Sequence, residues 1–338
     1  MTGTNEQLRK MNTETIRDIF RSLKTATKSD ISRRSGLSYA TCSNVLNELS
    51  ASGEILVLDE FKTESGRPAH QYRYNGDFAR ILCMFFTNEG QRPEVFFSVC
   101  NLEGEETERK NIRYRAFGYD EAEQLTASLL EKYPEIRCIA LGIPGVVLKN
   151  RTIDICDIES LEQLEMADLL EKKFGVPVIL ENDMNLTALG FARQHGWESA
   201  VVMTFPEDNF PGSGLVADGR IIRGSSNFAG EISFLPYGFN RKKQRLLLKD
   251  PGEVPGFAAK AVSSIIAVLN PEVILLTGSL LGKEMLRDIL HQCRQDIPRE
   301  HMPGIHIESD ISGYYFRGLF SMALDFASYP LQITEKKL

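Results

Sequence analysis

The 338-residue chain has one tryptophan, and its six cysteines (Cys42, Cys83, Cys100, Cys138, Cys156 and Cys293) include no close pair. This excludes a C-x-x-C zinc or redox motif and the dense disulfide framework of a small secreted domain. Reduced, buried thiols are the expectation. No apolar run approaches the ~18 residues of a membrane span. Met1 to Lys10 is polar and mixed in charge, with no signal-peptide core. A cytoplasmic chain with no membrane partner is therefore expected. Hydrophobic content of 42% and charged content of 25% exclude wholesale disorder. At about 100–200 residues per domain, the length predicts two or three domains.

Charge is unevenly spread. The chain carries −7 overall, but residues 1–78 hold 11 Lys/Arg against 10 Asp/Glu, and the first 34 hold eight basic and four acidic side chains. A basic leading edge on an acidic body fits a DNA-binding module attached to a second unit. Between Asn12 and Leu23, the residues Ile16, Ile19, Phe20 and Leu23 recur at helical spacing. Thr27 to Asp30 reads as a capping box that opens a second helix, which Gly36 ends. Ser38 then caps a third helix running to about Ser50. Its inward face is Cys42, Val45, Leu46 and Leu49, and Tyr39, Ala40, Ser43, Asn44 and Asn47 face outward. This order is that of a helix-turn-helix whose second helix enters the major groove. Two short strands, from Gly53 to Leu58 and Gln71 to Tyr74, flank a wing loop that carries Arg67 in an SGRP arm suited to a minor groove. The candidate DNA contacts are Thr27, Ser38, Tyr39, Thr41, Ser43, Asn44 and Arg67.

Beyond Asp77 the pattern becomes α/β. Apolar strands (Ile81 to Thr87, Val95 to Asn101, Arg137 to Ile143, Pro177 to Leu180) alternate with helices around Glu121 to Lys132 and Glu165 to Phe174. A second half repeats the theme with strands from Ser199, Gly214 and Val273 and a helix from Gly256 to Leu269. Two comparable halves predict two lobes with a cleft between them.

Three segments carry a specific likeness: LGIPGVV from Leu141 to Val147, PVILENDMNLTALG from Pro177 to Gly190, and the stretch from Asp218 to the AGE ending at Glu231. With NPEVILLTG from Asn270 to Gly278, they resemble the ROK family of sugar kinases and sugar-responsive repressors. The head, including its SGRP arm, is similar to the repressor branch. The resemblance implies an α/β fold with a winged helix-turn-helix over residues 1–76. An actin-like, duplicated ribonuclease-H-like body follows over 77–338. Its first lobe is expected at about 77–186 and its second at about 187–310, with a C-terminal helix packing back.

The resemblance also assigns Asn182 and Asp183 to sugar hydroxyls, with Asp183 in the place of the kinases' general base. Glu231 is implied as a further hydroxyl acceptor, and Gly145 lies in the loop that backs the sugar. The residues depart from the kinase pattern elsewhere. Residues 85–93 (FFTNEGQRP) lack the glycine pair of the first phosphate loop. The second phosphate loop becomes FPEDNFPGSG over 205–214, where prolines remove N–H donors and acids repel phosphate. Phe234 stands where the family carries a zinc-binding His, and residues 235–252 contain no Cys. His301 and His306 read as surface or loop residues, and His195 as structural.

The expectation is a non-enzymatic transcriptional regulator without a cofactor. It is expected to bind a double-stranded DNA operator as a homodimer and to sense a sugar or sugar derivative. A sugar kinase with a non-standard ATP site and a ligandless repressor remain as alternatives.

Overall fold

A computed structural model describes residues 2–58, 61–62, 68–88, 92–207 and 209–328. The head begins with α1 (Thr2–Leu23), which starts earlier than the apolar spacing predicts because residues 7–11 are exposed and carry no buried stripe. Then come β1 (Thr25–Thr27), α2 (Lys28–Ser35), α3 (Tyr39–Ala51), β2 (Ile55–Val57), β3 (Phe61–Lys62), β4 (Pro68–Ala69) and β5 (Gln71–Tyr74). The expected capping box is present: Thr27 Oγ1 accepts from the Asp30 amide, and the Asp30 carboxylate accepts from the Thr27 amide at 3.1 Å. Gly36 closes α2 at φ +70°, where a side chain would be strained.

The core of the head gathers Ile16, Phe20, Ile31, Val45, Leu46, Leu49 and Ile55. Arg17 ties α1 to the foot of β2 through Glu14 and Glu54, with Nε 2.6 Å from Glu54 Oε1. The three-stranded sheet has the order β1-β5-β2. β1 carries no sequence signal, since three residues cannot display an alternation.

The body contains two five-stranded sheets of identical design. The first holds β6 (Arg80–Thr87), β7 (Glu94–Asn101), β8 (Glu106–Arg113), β9 (Ile136–Ile143) and β12 (Val178–Asn182) in the order β12-β9-β6-β7-β8. Between its strands lie α4 (Tyr119–Lys132), the hairpin of β10 (Gly145–Val147) and β11 (Ile153–Cys156), and α5 (Met166–Phe174). α6 (Asp183–His195) leads into the second sheet, where β13 (Ala200–Thr204), β14 (Gly212–Ala217), β15 (Arg220–Ile221), β16 (Val273–Thr277) and β17 (Gly304–Ile307) take the order β15-β14-β13-β16-β17. α7 (Arg241–Leu248), α8 (Val254–Leu269), α9 (Leu286–Asp296) and α10 (Ser312–Ser328) complete the chain. In both sheets an antiparallel meander of three strands is extended by two parallel ones. The duplication expected from sequence is thus present strand for strand.

Strand alternation decides which helices cover which face. Leu82, Met84 and Phe86 of β6 face α4 and α5, while Ile81, Cys83 and Phe85 face Tyr315, Leu319 and Ala323 of α10. In the second sheet Val201 and Met203 face α8, and Ala200 and Val202 face Met184, Ala188 and Ala192 of α6. Each sheet is therefore buried on both sides, and α6 and α10 form a double layer between the two sheets.

α6 starts at Asp183, and Asn182 is its N-cap, accepting from the Asn185 amide at 3.0 Å. A boundary at residue 186 falls inside its first turn. All six cysteines are free and buried. Burial pushes the Cys138 and Cys156 thiols up to about 12, so they stay protonated and unreactive.

The helices α6 and α10 cross with almost no side chain between them. A Cβ on Gly190 would overlap the Tyr314 carbonyl oxygen, and one on Gly318 would overlap the Leu186 carbonyl oxygen. Gly→Ala in a helix gains about 1 kcal/mol from propensity, whereas backbone overlap costs roughly 1–3 kcal/mol or more. Gly190→Ala and Gly318→Ala are therefore expected to lower the urea midpoint of the body. Gly313→Ala, with open space at its Cβ, should leave the midpoint unchanged or raise it. Equal effects at all three positions would disprove the close crossing.

Candidate functional site

Two surfaces collect the residues singled out from sequence. The first is the outer face of α3. Ser38 Oγ accepts from the Thr41 amide at 3.1 Å and lies 2.9 Å from the Thr41 hydroxyl, so both side chains serve the cap. Thr27 is likewise committed to Asp30, with its Oγ1 2.6 Å from Oδ2. Tyr39 (58% exposed) and Asn44 stand free on the surface, with Ser43 half-buried between them. Lys28, which carried no sequence signal, reaches over from α2. Its Nζ donates to Ser43 Oγ at 2.9 Å and sits 5.3 Å from the centre of the Tyr39 ring. Arg67 and the rest of the arm through residue 63 lie outside the described residues.

The second surface is the cleft between the two sheets, where the ends of β9 and β12 meet the start of α6. Parallel pairing sets Asn182 beside Ile143. Asn182 Nδ2 then donates to the Gly145 carbonyl at 2.8 Å and to Asp183 Oδ1 at 2.9 Å. The Met184 amide also donates to Asp183 Oδ1, at 2.8 Å. Gly145 is required by contact, because a Cβ there would overlap the Ile155 carbonyl across the β10–β11 hairpin. Gly145, Asn182 and Asp183 thus form one unit.

Behind this unit Glu181 is buried. It accepts from Asn185 Nδ2 at 2.9 Å and from Arg223 Nε at 2.6 Å. Glu231 approaches from the second lobe, held by Gly230, whose carbonyl accepts from the Ser213 amide at 2.8 Å and the Ser213 hydroxyl at 2.9 Å. Burial, followed by the charges of Asp157 and Glu231, raises the Asp183 pKa to about 7. Burial also raises Glu231, with Arg241 opposing it, and loss of solvation raises Asp157.

Asp157, Asn88, Asn209 and Tyr315 escaped the sequence reading because no motif marks them. Asp157 bridges the lobes: its carboxylate accepts from Asn209 Nδ2 at 2.5 Å, and its carbonyl accepts from Asn88 Nδ2 at 2.6 Å. Both asparagines belong to segments that correspond to phosphate loops in the kinases. Residues 89–91 and 208 of those segments lie outside the described residues. Tyr315 is buried, lies against Gly142, and feels the charge of Asp183.

Phe234 has a specific role. The Arg241 guanidinium lies between two rings, 3.7 Å from the centre of Phe210 and 4.2 Å from that of Phe234, and Nη1 donates to Ser233 Oγ at 3.2 Å. A cation–aromatic stack ties the Glu231 turn to the 205–212 loop and to α7. The side chains at this point are hydrocarbon and cationic, which does not suit zinc. Among the described residues no three His, Cys, Asp or Glu are placed to hold a metal ion.

Residues 96–243 match the model of the ROK family. Over that stretch, a little under half of its length, the chain is similar to the ROK family. It is 22% identical over 251 residues to the xylose repressor of Caldicellulosiruptor bescii, covering 70% of this chain and 61% of that protein. The chain thus spans about three fifths of the length of that relative. A solved ROK-family transcriptional regulator, described as a homologue of the E. coli MLC protein, superimposes with a TM-score of 0.70 at 16% identity. That match covers 94% of this chain and 99% of the other. The ROK hexokinase of Thermus thermophilus gives 0.57 at 16% identity over 73% of this chain and 99% of its own. These likenesses establish the actin-like fold of the body. Among the described residues no helix is long and apolar enough to cross a membrane.

A carboxyl raised from its unfolded value of about 3.9 to about 7 favours the folded state fully only below the unfolded pKa. That stabilisation is lost as pH rises through 7, and Asp157 and Glu231 act in the same direction. The melting temperature of the wild type should therefore fall between pH 5 and 8. Asp183→Asn keeps an oxygen for the Met184 amide and should flatten the slope. Parallel pH profiles for the two proteins would disprove the raised carboxyl.

Proposed function

We propose that the chain is a transcriptional regulator, with a winged helix-turn-helix head that reads operator DNA and a body that senses a sugar-class ligand without phosphorylating it. One observation carries the reading: α3 presents Tyr39 and Asn44 to solvent beyond the tight Gly36 turn, with Lys28 beside them, on a ROK body. Such a face has donors and acceptors for base edges and a cation for phosphate. The relatives named as xylose repressors and the solved MLC-type regulator support the same reading. Heads of this kind read two-fold operators as pairs, so a homodimer is part of the proposal.

Two observations support an inactive body. The 205–214 segment spends its Asn209 amide on Asp157, and Phe210 is stacked on Arg241. Phosphoryl transfer requires phosphate to be positioned and its charge neutralised, which this loop is not built to do. A kinase reading draws on Asp183 alone, whose pKa of about 7 suits a general base.

The DNA reading is tested by fluorescence anisotropy on a site selected from random duplexes with the full chain. Asn44→Ala and Tyr39→Ala should each weaken binding by about 1–3 kcal/mol where their contacts are direct, and Lys28→Ala should reduce the salt slope by about one. Failure of the full chain to enrich any sequence would overturn the head's assignment. In parallel, ADP release with Mg·ATP should stay at background with D-xylose, D-glucose and N-acetyl-D-mannosamine. Sugar-dependent turnover abolished in Asp183→Asn would establish the kinase instead.

A further inference from the structure

The cleft has an imbalance of hydrogen-bonding groups. Three carboxylates, Asp157, Asp183 and Glu231, share it, and among the described residues none forms an ion pair. The hydrogen bonds made to Asp183 all go to Oδ1, and the one made to the Asp157 carboxylate goes to Oδ1. Asn88 Oδ1 is buried with no partner, because its amide nitrogen is the atom turned to Asp157. The side-chain amides of the cleft are already engaged. Asn182 Nδ2 serves Gly145 and Asp183, Asn209 serves Asp157, and Arg241 is held between two rings with Nη1 on Ser233. Among the described residues, Asp157 Oδ2, Asp183 Oδ2, the Glu231 carboxylate and Asn88 Oδ1 thus accept no hydrogen bond.

A second, independent observation comes from α10. Tyr315 is 7% exposed, and its hydroxyl has no hydrogen-bond partner. The ring is wedged against Phe85, centroid to centroid 4.5 Å, and the hydroxyl lies over Gly142, the only residue type that leaves it room. Gly142 lies one residue before Ile143, the strand partner of Asn182, and the hydroxyl is close enough to Asp183 and Cys156 to feel their charge. An unpaired buried hydroxyl costs roughly 1–3 kcal/mol, so an occupant that hydrogen-bonds it regains that loss.

We propose that the ligand of this cleft is a polyhydroxylated compound carrying a protonated amine, an amino sugar or iminosugar rather than a neutral or phosphorylated sugar. The inference rests on the reading of the body as a sugar-class sensor and narrows it to a cation. A sugar hydroxyl brings one donor and two lone pairs, so a neutral sugar adds acceptors to a site already rich in them. An ammonium brings three donors and no acceptor, together with a positive charge for Asp157 and Asp183, since Arg241 acts on Glu231. A phosphate brings the wrong sign. Tyr315 and the Asn88 oxygen would meet the remaining hydroxyls, the first as donor or acceptor and the second as acceptor.

The test is isothermal titration of the purified full chain at pH 7 with matched probes. D-glucosamine is set against N-acetyl-D-glucosamine, which keeps the nitrogen and removes its charge. 1-Deoxynojirimycin is set against D-glucose, and D-glucose 6-phosphate is the anionic arm. At least one cationic probe is expected to bind roughly ten- to a hundredfold tighter than its neutral counterpart, the range that charged hydrogen bonds confer. The anionic probe should give no heat of binding. Asp157→Asn should lower the cationic-to-neutral ratio severalfold, and added salt should weaken the cationic probes selectively. Neutral sugars binding as tightly as the cationic ones would overturn the ammonium assignment and leave the sugar sensor standing. Absence of binding by every probe would overturn both.

Discussion

The body depends on the contact between α6 and α10. Two sheets, each needing an apolar cover on its inner face, share a single double layer of helix, and that layer is thin only because Gly190 and Gly318 let the two backbones touch. α6 lines the second sheet while carrying Asp183 at its first residue, and α10 lines the first sheet while carrying Tyr315. Both groups reach the cleft because the helices that bear them are pressed together. A side chain at either glycine would part them and move both.

The same packing continues toward the N-terminal head. Phe320 of α10 lies against Gly104 in the β7–β8 turn, and Leu102 of that turn packs on the apolar core of the head. Leu102 also donates its amide to the Gly76 carbonyl at 2.9 Å, and Asn75 Nδ2 donates to the Gly53 carbonyl at 2.8 Å. The head is thus seated on the first lobe through packed side chains and hydrogen bonds. Apolar contacts run from the Tyr315 ring by way of α10 to the foot of the head. Within the cleft, burial keeps three carboxyls reluctant to ionise, with like charge adding to it at Asp183, and the Arg241 stack supplies a crosslink made of ordinary side chains.

Much of this was legible in the chain. The capping box at Thr27, the left-handed Gly36 and the cap at Ser38 are local devices, set by residues three or four apart, and each was readable one at a time. The β–α alternation and its repetition predicted two like lobes, because a strand buried on both faces must be apolar throughout, as residues 81–86 are. Gly145, Asn182 and Asp183 were found because they follow buried strands in a recognisable motif. Thr27 and Ser38 were read as candidate contacts, yet their hydroxyls are used for capping, a competition that sequence does not resolve.

What the sequence by itself determined is therefore the set of elements, their order, the duplication and the carboxylate at the start of α6. These follow from periodicity and from short-range hydrogen bonding. Only the tertiary structure decided which charges share the cleft. Asp157, Asn209 and Tyr315 are separated by tens of residues from Asp183, and nothing local marks their convergence. It arises because two sheets dock on one pair of helices. The resulting surplus of acceptors, from which the ligand's character is inferred, is a property of that docking and of no single segment.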